Sequence, residues 1–128
     1  MKQTTLSDKR IKTQIQPVIY NSQVENFIDQ LKPSSFVFNY GVQKQVGMIA
    51  QDVLTAAGSS QLLKSCVGNL DTYDASDDRC PLLTIKYDVM IPILILQLQN
   101  SKGLVDALEE KVQNLEARVL ALETNPYP

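Results

Sequence analysis

Ser7 and Lys12 could form a nucleophile–base pair near the start of the chain. They lie five positions apart in the stretch Ser-Asp-Lys-Arg-Ile-Lys, which spans residues 7–12. The chain contains no histidine, which excludes the Ser-His-Asp arrangement found in many hydrolases. A Ser-Lys pair is therefore the combination that this part of the sequence offers. The alternative interpretation is that this polar run is a solvated terminus.

The spacing of Ser7 and Lys12 limits how their side chains can meet. On an α-helix, five positions place two side chains about 140° apart. On a strand the two would point to opposite faces, roughly 16 Å apart. The pair therefore requires a sharp bend or a lysine from a neighbouring subunit. A lysine acts as a base only when it is neutral, so its pKa must fall well below about 10.4. Burial and a nearby cation such as Arg10 act in that direction.

The composition indicates a single domain that does not bind nucleic acid. A chain of 128 residues can bury a modest core. Its net charge is −2 and it contains no tryptophan, whereas nucleic-acid binders are usually strongly basic. Its apolar runs are too short to span a membrane, and the start of the chain lacks a signal-peptide core. We expect a soluble protein made in a cytoplasm, with no nucleic-acid partner and no membrane partner.

Two cysteines, Cys66 and Cys80, flank an acidic loop. The loop contains four aspartates, namely Asp71, Asp74, Asp77 and Asp78. A zinc site would lack both histidine and a close cysteine pair, and the aspartate spacing does not match an EF-hand. We expect a solvated loop with no metal and no cofactor. Two free thiols are expected in a cytoplasmic protein, and a loop-closing disulfide is the alternative.

A short helix should follow the opening motif. Ser22 and Glu25 form a capping box, which predicts Ser22 as the N-cap. Apolar residues then recur at helical spacing from Val24 to Leu31. Pro33 should end this helix, because proline cannot continue one.

Short strands and a second helix are predicted in the middle of the chain. Alternating aromatic residues predict a strand over residues 36–40, which should pair with a second strand over 44–49. Residues 50–57 should form a helix that ends at Gly58. A third strand is predicted over 82–86. The stretch between Ser59 and Cys80 is ambiguous, with one short element near its middle.

One long helix should occupy residues 88–124, and Pro92 should lie near its first turn or kink it. Its apolar residues alternate at spacings of four and three, which is the pattern of a coiled-coil seam. The apolar seam positions are Leu98, Val105, Leu108, Val112, Leu115, Val119 and Leu122, and Ser101 fills the remaining d position.

Charges beside the seam indicate how the helices pair. Lys111 and Arg118 occupy g positions, and Glu116 and Glu123 occupy e positions. Pairing of each g cation with an e carboxylate of a neighbour favours a parallel homo-oligomer. Valine at a with leucine at d is typical of two strands, so this pattern alone favours a dimer.

Taken in order, these features resemble the C-terminal intramolecular chaperone domain of phage tailspike, tail-fibre and neck-appendage proteins, an auto-processing family that includes the endosialidases. A related domain occurs in self-cleaving membrane-bound transcription factors of animals. The resemblance rests on residues 7–12, on Gly-Met-Ile-Ala-Gln-Asp-Val at 47–53, and on Leu82, Thr84 and Tyr87. It extends over essentially everything after residue 6.

The resemblance implies a mainly helical α+β fold. A small β-containing globular part, residues 7–87, should precede a long C-terminal helix that forms a parallel trimeric coiled coil. Residues 1–6 would be the remnant of an upstream leader or stalk, and 7–128 the chaperone domain. The family is trimeric, and we prefer three strands to two because a globular part also packs around the axis.

The resemblance also implies a function. The domain would trimerise, help an upstream stalk of the same polypeptide to fold, and then cut the Leu6–Ser7 bond. Ser7 would be the nucleophile and Lys12 its base, with Asp8 and Arg10 organising the site. Cleavage could proceed through an N-to-O shift or through an acyl-enzyme on another subunit. The domain would act in the host cytoplasm during virion assembly and be absent from the mature virion.

The sequence leaves open the position of Gln51 and the choice between alternative functions. Gln51 should lie close to the trimer axis or to Ser7, or should merely cap the following helix. The main alternative function is a non-catalytic homotrimerisation module of a viral structural protein. A coiled-coil adaptor for a host protein is a third possibility, although no feature of the sequence identifies such a partner.

Overall fold

The computed structural model of the protein describes residues 4–124. In chain order the elements are α1 (Ser22–Gln30), β1 (Ser34–Phe36), β2 (Gln45–Gly47), α2 (Ala50–Ala57), α3 (Gln61–Lys64), β3 (Val67–Gly68), β4 (Thr84–Ile85) and α4 (Tyr87–Thr124). Two 3₁₀ turns, Lys9–Ile11 and Leu70–Thr72, complete the set. The predicted fold class is confirmed, since the chain is mainly helical, with a small β-containing part followed by one long C-terminal helix.

The N-cap of helix α1 lies one residue before the position that the sequence predicts. Asn21 is the N-cap, and its side-chain oxygen accepts a hydrogen bond from the Val24 N–H at 3.0 Å. The prediction of Ser22 as the cap is wrong, because Ser22 already belongs to the helix and Asn21 has the extended backbone that a cap requires. The predicted end before Pro33 is confirmed, since the helix ends at Gln30.

Strands β1 and β2 pair antiparallel, as predicted, but β1 lies earlier than residues 36–40. The register places Ser34 opposite Gly47 and Phe36 opposite Gln45. The chain then turns, and the Gly41 N–H donates to the Phe38 carbonyl at 2.9 Å. Of the alternating aromatic residues, Phe36 belongs to β1, whereas Phe38 and Tyr40 lie in the turn. The ring of Phe38 meets Phe36 edge-on, and it stacks on Tyr40 with ring centroids 5.0 Å apart.

The second helix and second sheet complete the globular part. Helix α2 confirms the predicted bounds of 50–57, and Gly58 ends it with a φ of +59°, a backbone conformation that favours glycine. The predicted third strand exists as the shorter β4. It pairs antiparallel with β3, with Val67 opposite Ile85. Strand β3 lies in the stretch that the sequence left ambiguous.

The hydrophobic core lies where α1, α2, α3, β3 and the first turns of α4 meet. Its buried residues are Val24, Phe27, Ala50, Val53, Ala56, Ala57, Leu63, Cys66, Val67, Met90 and Ile93. Both cysteines are free thiols, and burial raises the pKa of the Cys66 thiol. Cys66 is therefore a small core residue, whereas Cys80 is only half-buried.

The acidic loop is organised by its own short hydrogen bonds. Asp74 accepts from both the backbone N–H and the hydroxyl of Ser76, and these bonds lower the pKa of the Asp74 carboxyl. Asp77 accepts from the Arg79 N–H at 2.9 Å. Within residues 4–124 no group of three metal-ligating side chains comes together.

Helix α4 leaves the core soon after it begins. It contains 38 residues, which corresponds to about 57 Å. Only Met90 and Ile93 are buried, and Pro92 lies in the second turn, within the helix. Every residue from 102 to 124 is exposed. In the described part of the chain, no helix has the length and apolar content that crossing a membrane would require.

Candidate active site

Residues 7–12 fold into a tight turn. Its centre is the 3₁₀ helix Lys9–Ile11, and Asp8 is the N-cap. The Asp8 carboxylate accepts a hydrogen bond from the Arg10 backbone N–H at 2.8 Å. Two backbone hydrogen bonds of 3.2 Å close the turn, one from the Ile11 N–H to the Asp8 carbonyl and one from the Lys12 N–H to the Lys9 carbonyl.

An ion pair braces this turn from the side. The Arg10 guanidinium donates through Nε to Asp8 Oδ1 at 3.0 Å and through a terminal nitrogen to Oδ2 at 2.8 Å. This two-pronged geometry is the strongest form of an arginine–carboxylate pair. The Arg10 side chain, together with its backbone N–H, holds the pKa of the Asp8 carboxyl below its usual value. The same bond raises the pKa of Arg10.

The turn brings Ser7 and Lys12 into direct contact. Lys12 Nζ donates a hydrogen bond to Ser7 Oγ at 2.5 Å. The spacing of these residues required either a sharp bend or a lysine from another subunit, and the 3₁₀ turn supplies the bend within one chain. Asp8 and Arg10 do not touch the reacting pair in this contact. They act by holding the turn in shape.

All six residues of the turn are exposed in the single chain, and so is Leu6 on the other side of the candidate cleavage bond. In this hydrogen bond the lysine amine is the donor and the serine oxygen the acceptor. General-base chemistry needs the opposite direction, with a neutral amine accepting the hydroxyl proton. The pair is thus placed for this chemistry but is not yet shielded from water.

The motif at residues 47–53 forms a structural joint in the globular part. Its first residue, Gly47, ends β2, and a Cβ at that position would lie 2.8 Å from the Tyr87 hydroxyl and 3.2 Å from the Phe36 ring. The Met48 N–H donates to the same hydroxyl at 2.9 Å. Near the end of the motif, Val53 is fully buried in the core. The motif therefore joins the hairpin, α2 and the start of α4.

The first half of the chain matches a known protein family. Residues 7–62 match the model of a family described as the chaperone of endosialidase, which carries the name of a peptidase. The first half of the chain is thus similar to the chaperone-of-endosialidase family. The match runs from the Ser7–Lys12 turn into α3, and the resemblance seen in the sequence is confirmed over this range. Tyr87 and the coiled-coil seam lie beyond the matched residues. No curated protein and no solved structure matches the chain.

The match to the chaperone-of-endosialidase family supports a chaperone role for phage tail proteins and an association with an upstream stalk. It also relates the domain to a self-processing peptidase. The turn that carries Ser7 and Lys12 lies at the first matched residues. The candidate nucleophile therefore lies within the part of the chain that matches the family.

Gln51, also within residues 7–62, lines a groove whose lining residues do not include Ser7 or Lys12. The groove is formed with the acidic loop, including Tyr73, Asp78 and Leu82. Gln51 is the second residue of α2, whose N-cap position is Ile49, so it does not cap that helix. The expected position of Gln51 near a trimer axis or near Ser7 stays a prediction.

Sequence reasoning missed the contact between Tyr87 and Met48. Both residues belong to the motifs that carried the resemblance, but they are 39 positions apart and their pairing leaves no local pattern. The available signal was a glycine inside a predicted strand, which often marks close approach of another group. That signal indicates an approach without naming the partner.

The coiled-coil seam downstream of the family segment is exposed along one side of α4. The exposed fraction of its apolar seam side chains lies between 51% and 75%. Shallow apolar grooves run along it between Val105 and Glu123. An exposed apolar stripe of this length is typical of a surface that another helix covers.

Proposed function

We propose that this domain is an intramolecular chaperone of a phage fibre or appendage protein. It trimerises, assists the folding of an upstream stalk, and then releases itself by autoproteolysis before Ser7. The match of residues 7–62 to the chaperone-of-endosialidase family supports the chaperone role. The hydrogen bond between Lys12 Nζ and Ser7 Oγ is the observation that carries the self-cleavage proposal.

In the proposed cleavage, neutral Lys12 accepts the Ser7 hydroxyl proton as Oγ attacks the Leu6 carbonyl carbon. The Leu6–Ser7 C–N bond breaks, and the proton passes to the departing amine nitrogen. The Leu6 acyl group is then held as an ester on a serine oxygen. Water hydrolyses the ester, which leaves a carboxylate on Leu6 and restores the serine hydroxyl. The acceptor oxygen is that of the same Ser7 in an N-to-O shift, or that of another subunit in an acyl-enzyme.

Assembly would control the timing of this reaction. The turn is exposed in a single chain, and contact with water favours the charged form of an amine. A neighbouring copy or the stalk that covers the turn would desolvate the amine and favour its neutral form. Each chain would cut one bond once, in the host cytoplasm during virion assembly, and the released domain would be absent from the mature virion.

The seam of α4 supports self-association in parallel. Lys111 and Arg118 lie at g positions, next to the e positions of Glu116 and Glu123 on a neighbouring copy. The residue types at a and d favour two strands, whereas the family resemblance favours three. We propose a homotrimer, because the globular part also packs around the axis and changes the preference of the helices alone.

The test uses a full-length parent chain with several hundred residues upstream of Leu6. Wild-type protein should separate into two pieces, the smaller beginning at Ser7 by mass spectrometry. Ser7→Ala should abolish cleavage without loss of folding, and Lys12→Ala should nearly do so. Lys9→Ala is the matched control, because Lys9 lies in the same exposed turn and should leave cleavage intact. Cleavage of Ser7→Ala protein at this bond, without added protease, would refute the pair.

The second candidate function is a homotrimerisation module without catalysis. The bidentate Asp8–Arg10 pair favours it, since such a braced turn could serve only to hold the domain against its neighbours. In that case the full-length wild-type protein would form trimers and remain a single piece.

A further inference from the structure

The seam of α4 contains one polar layer. Among the eight a and d positions from Leu98 to Leu122, seven carry apolar side chains and Ser101 is the exception. Gln97 lies one turn before Ser101, at the adjoining g position. Both residues are of intermediate burial, whereas every residue from 102 to 124 is exposed.

The side chains of Gln97 and Ser101 form a hydrogen-bonded pair whose remaining polar groups are unmatched. Gln97 Nε2 donates to Ser101 Oγ at 3.1 Å. Gln97 Oε1 is inaccessible to solvent and has no hydrogen-bond partner. Since Ser101 accepts in this bond, its hydroxyl hydrogen is free to donate. An acceptor and a donor therefore lie unused at the same level of the seam.

We propose that Gln97 and Ser101 form an inter-chain polar layer that fixes the register and parallel orientation of the assembled helices. This inference rests on the proposed self-association, and its partner is another copy of this chain. In a parallel assembly in register, the Ser101 hydroxyls of all copies converge at one level, with the Gln97 amides beside them. The Gln97 amide rotates to present its covered oxygen, and the unused donors and acceptors then pair between chains.

Any other alignment leaves these groups without partners. A shift by one heptad places Ser101 against an apolar layer such as Leu94 or Leu108, and an antiparallel arrangement separates the serines. A buried polar group without a partner destabilises an assembly more than a lost apolar contact of similar size. A single polar layer can thus select one register at some cost in stability.

The position of the polar layer determines which regions of the copies a fixed register would align. It is the first d layer beyond the buried turns of α4, next to the globular part. Alignment at this level brings equivalent regions of the globular parts to the same height around the axis. The turns that carry Ser7 and Lys12 would then have identical surroundings in every copy.

The experiment compares register in variants of the 128-residue chain. Cys80→Ser removes the half-buried thiol, and Leu122→Cys places a reporter thiol in a distal d layer. With Ser101 present, oxidation should link two chains of every trimer. Ser101→Leu should raise Tm by about 4 °C or more while the cross-linked fraction falls by about half, because misaligned assemblies form.

Two controls separate register from simple packing. Leu108→Met changes a neighbouring d layer while conserving volume, and it should leave cross-linking unchanged. Ser101→Thr keeps a hydroxyl and should preserve the wild-type cross-linked fraction. If Ser101→Leu forms a single species with undiminished cross-linking, the polar layer does not set the register. If the protein with Ser101 is a monomer in solution, the proposed self-association itself is wrong, whatever the variants do.

Discussion

The hydroxyl of Tyr87 accepts a hydrogen bond from the backbone N–H of Met48 at 2.9 Å, although the two residues are 39 positions apart in the chain. Tyr87 is the first residue of α4, and Met48 directly follows β2. The bond therefore ties the base of the long helix to the hairpin and to the first turn of α2. A small displacement at this joint would be magnified along a helix of 38 residues.

Gly47→Ala should destabilise the globular part by about 1–3 kcal/mol. The added methyl group would lie 2.8 Å from the Tyr87 hydroxyl and 3.2 Å from the Phe36 ring, so at least one ring must shift. The Met48–Tyr87 hydrogen bond should weaken as a consequence. The free energy of unfolding in urea measures the effect.

A double-mutant cycle identifies the source of that cost. Tyr87→Phe removes the closest oxygen, so Gly47→Ala should cost less in that background than alone. Gly103→Ala is the matched control, because no atom lies within 4 Å of its Cβ position in α4. It should increase stability by about 0.5–1 kcal/mol. Equal effects of the two glycine substitutions would show that the joint at Gly47 has no steric constraint.

Leu115→Asp should dissociate the proposed trimer. Leu115 is a d residue with an exposed fraction of 55% in the single chain, and the substitution would bring three carboxylates together in a dry layer. Ala117→Asp adds the same charge two positions away, at the outward f position, and should leave assembly intact. Sedimentation equilibrium at micromolar concentration measures both. A wild-type monomer would contradict the prediction, and a dimer would mean that the a and d residue types decide the number of strands.

The sequence predicted those elements whose signals are local. Apolar spacing and breakers such as Pro33 and Gly58 locate α1, α2 and the end of each, because they act within a few residues. The cap of α1 was misplaced by one residue, since Asn21 and Ser22 are equally good caps and only the backbone conformation separates them.

Features that depend on contacts between distant residues were harder to predict from the sequence. The alternation from Phe36 to Tyr40 predicted a strand over these residues. Ring packing and the turn that ends at Gly41 instead place Phe38 and Tyr40 outside the strand. Spacing alone required either a bend between Ser7 and Lys12 or a lysine from a neighbouring subunit, and it did not indicate which. The bend depends on the Asp8–Arg10 pair, whose two-pronged geometry a linear pattern does not reveal.

Acid should open the turn at residues 7–12. The hydrogen bonds from Arg10 lower the pKa of Asp8 from 3.8, so the charged carboxylate favours the closed turn. This stabilisation is fully present above the unfolded value and is lost as the pH falls through the lowered pKa of the folded state. The Arg10 amide resonance should therefore titrate below pH 3.8 in NMR spectra. In Asp8→Asn protein this acid titration of the Arg10 amide should disappear; its persistence would assign it to another group.

Mixed assemblies should separate cleavage within a chain from cleavage between chains. Because Lys12 Nζ bonds to Ser7 Oγ of the same chain, trimers that combine Ser7→Ala with Lys12→Ala full-length subunits should remain uncut. Wild-type subunits mixed with the double variant should still be cut, which controls for damage caused by mixing. Restored cleavage in the first mixture would mean that the lysine comes from a neighbouring subunit. In wild-type trimers the rate should fall as the pH is lowered, since a protonated amine cannot accept the serine proton. A rate that does not depend on pH would exclude Lys12 as the base, even if Lys12→Ala abolished cutting.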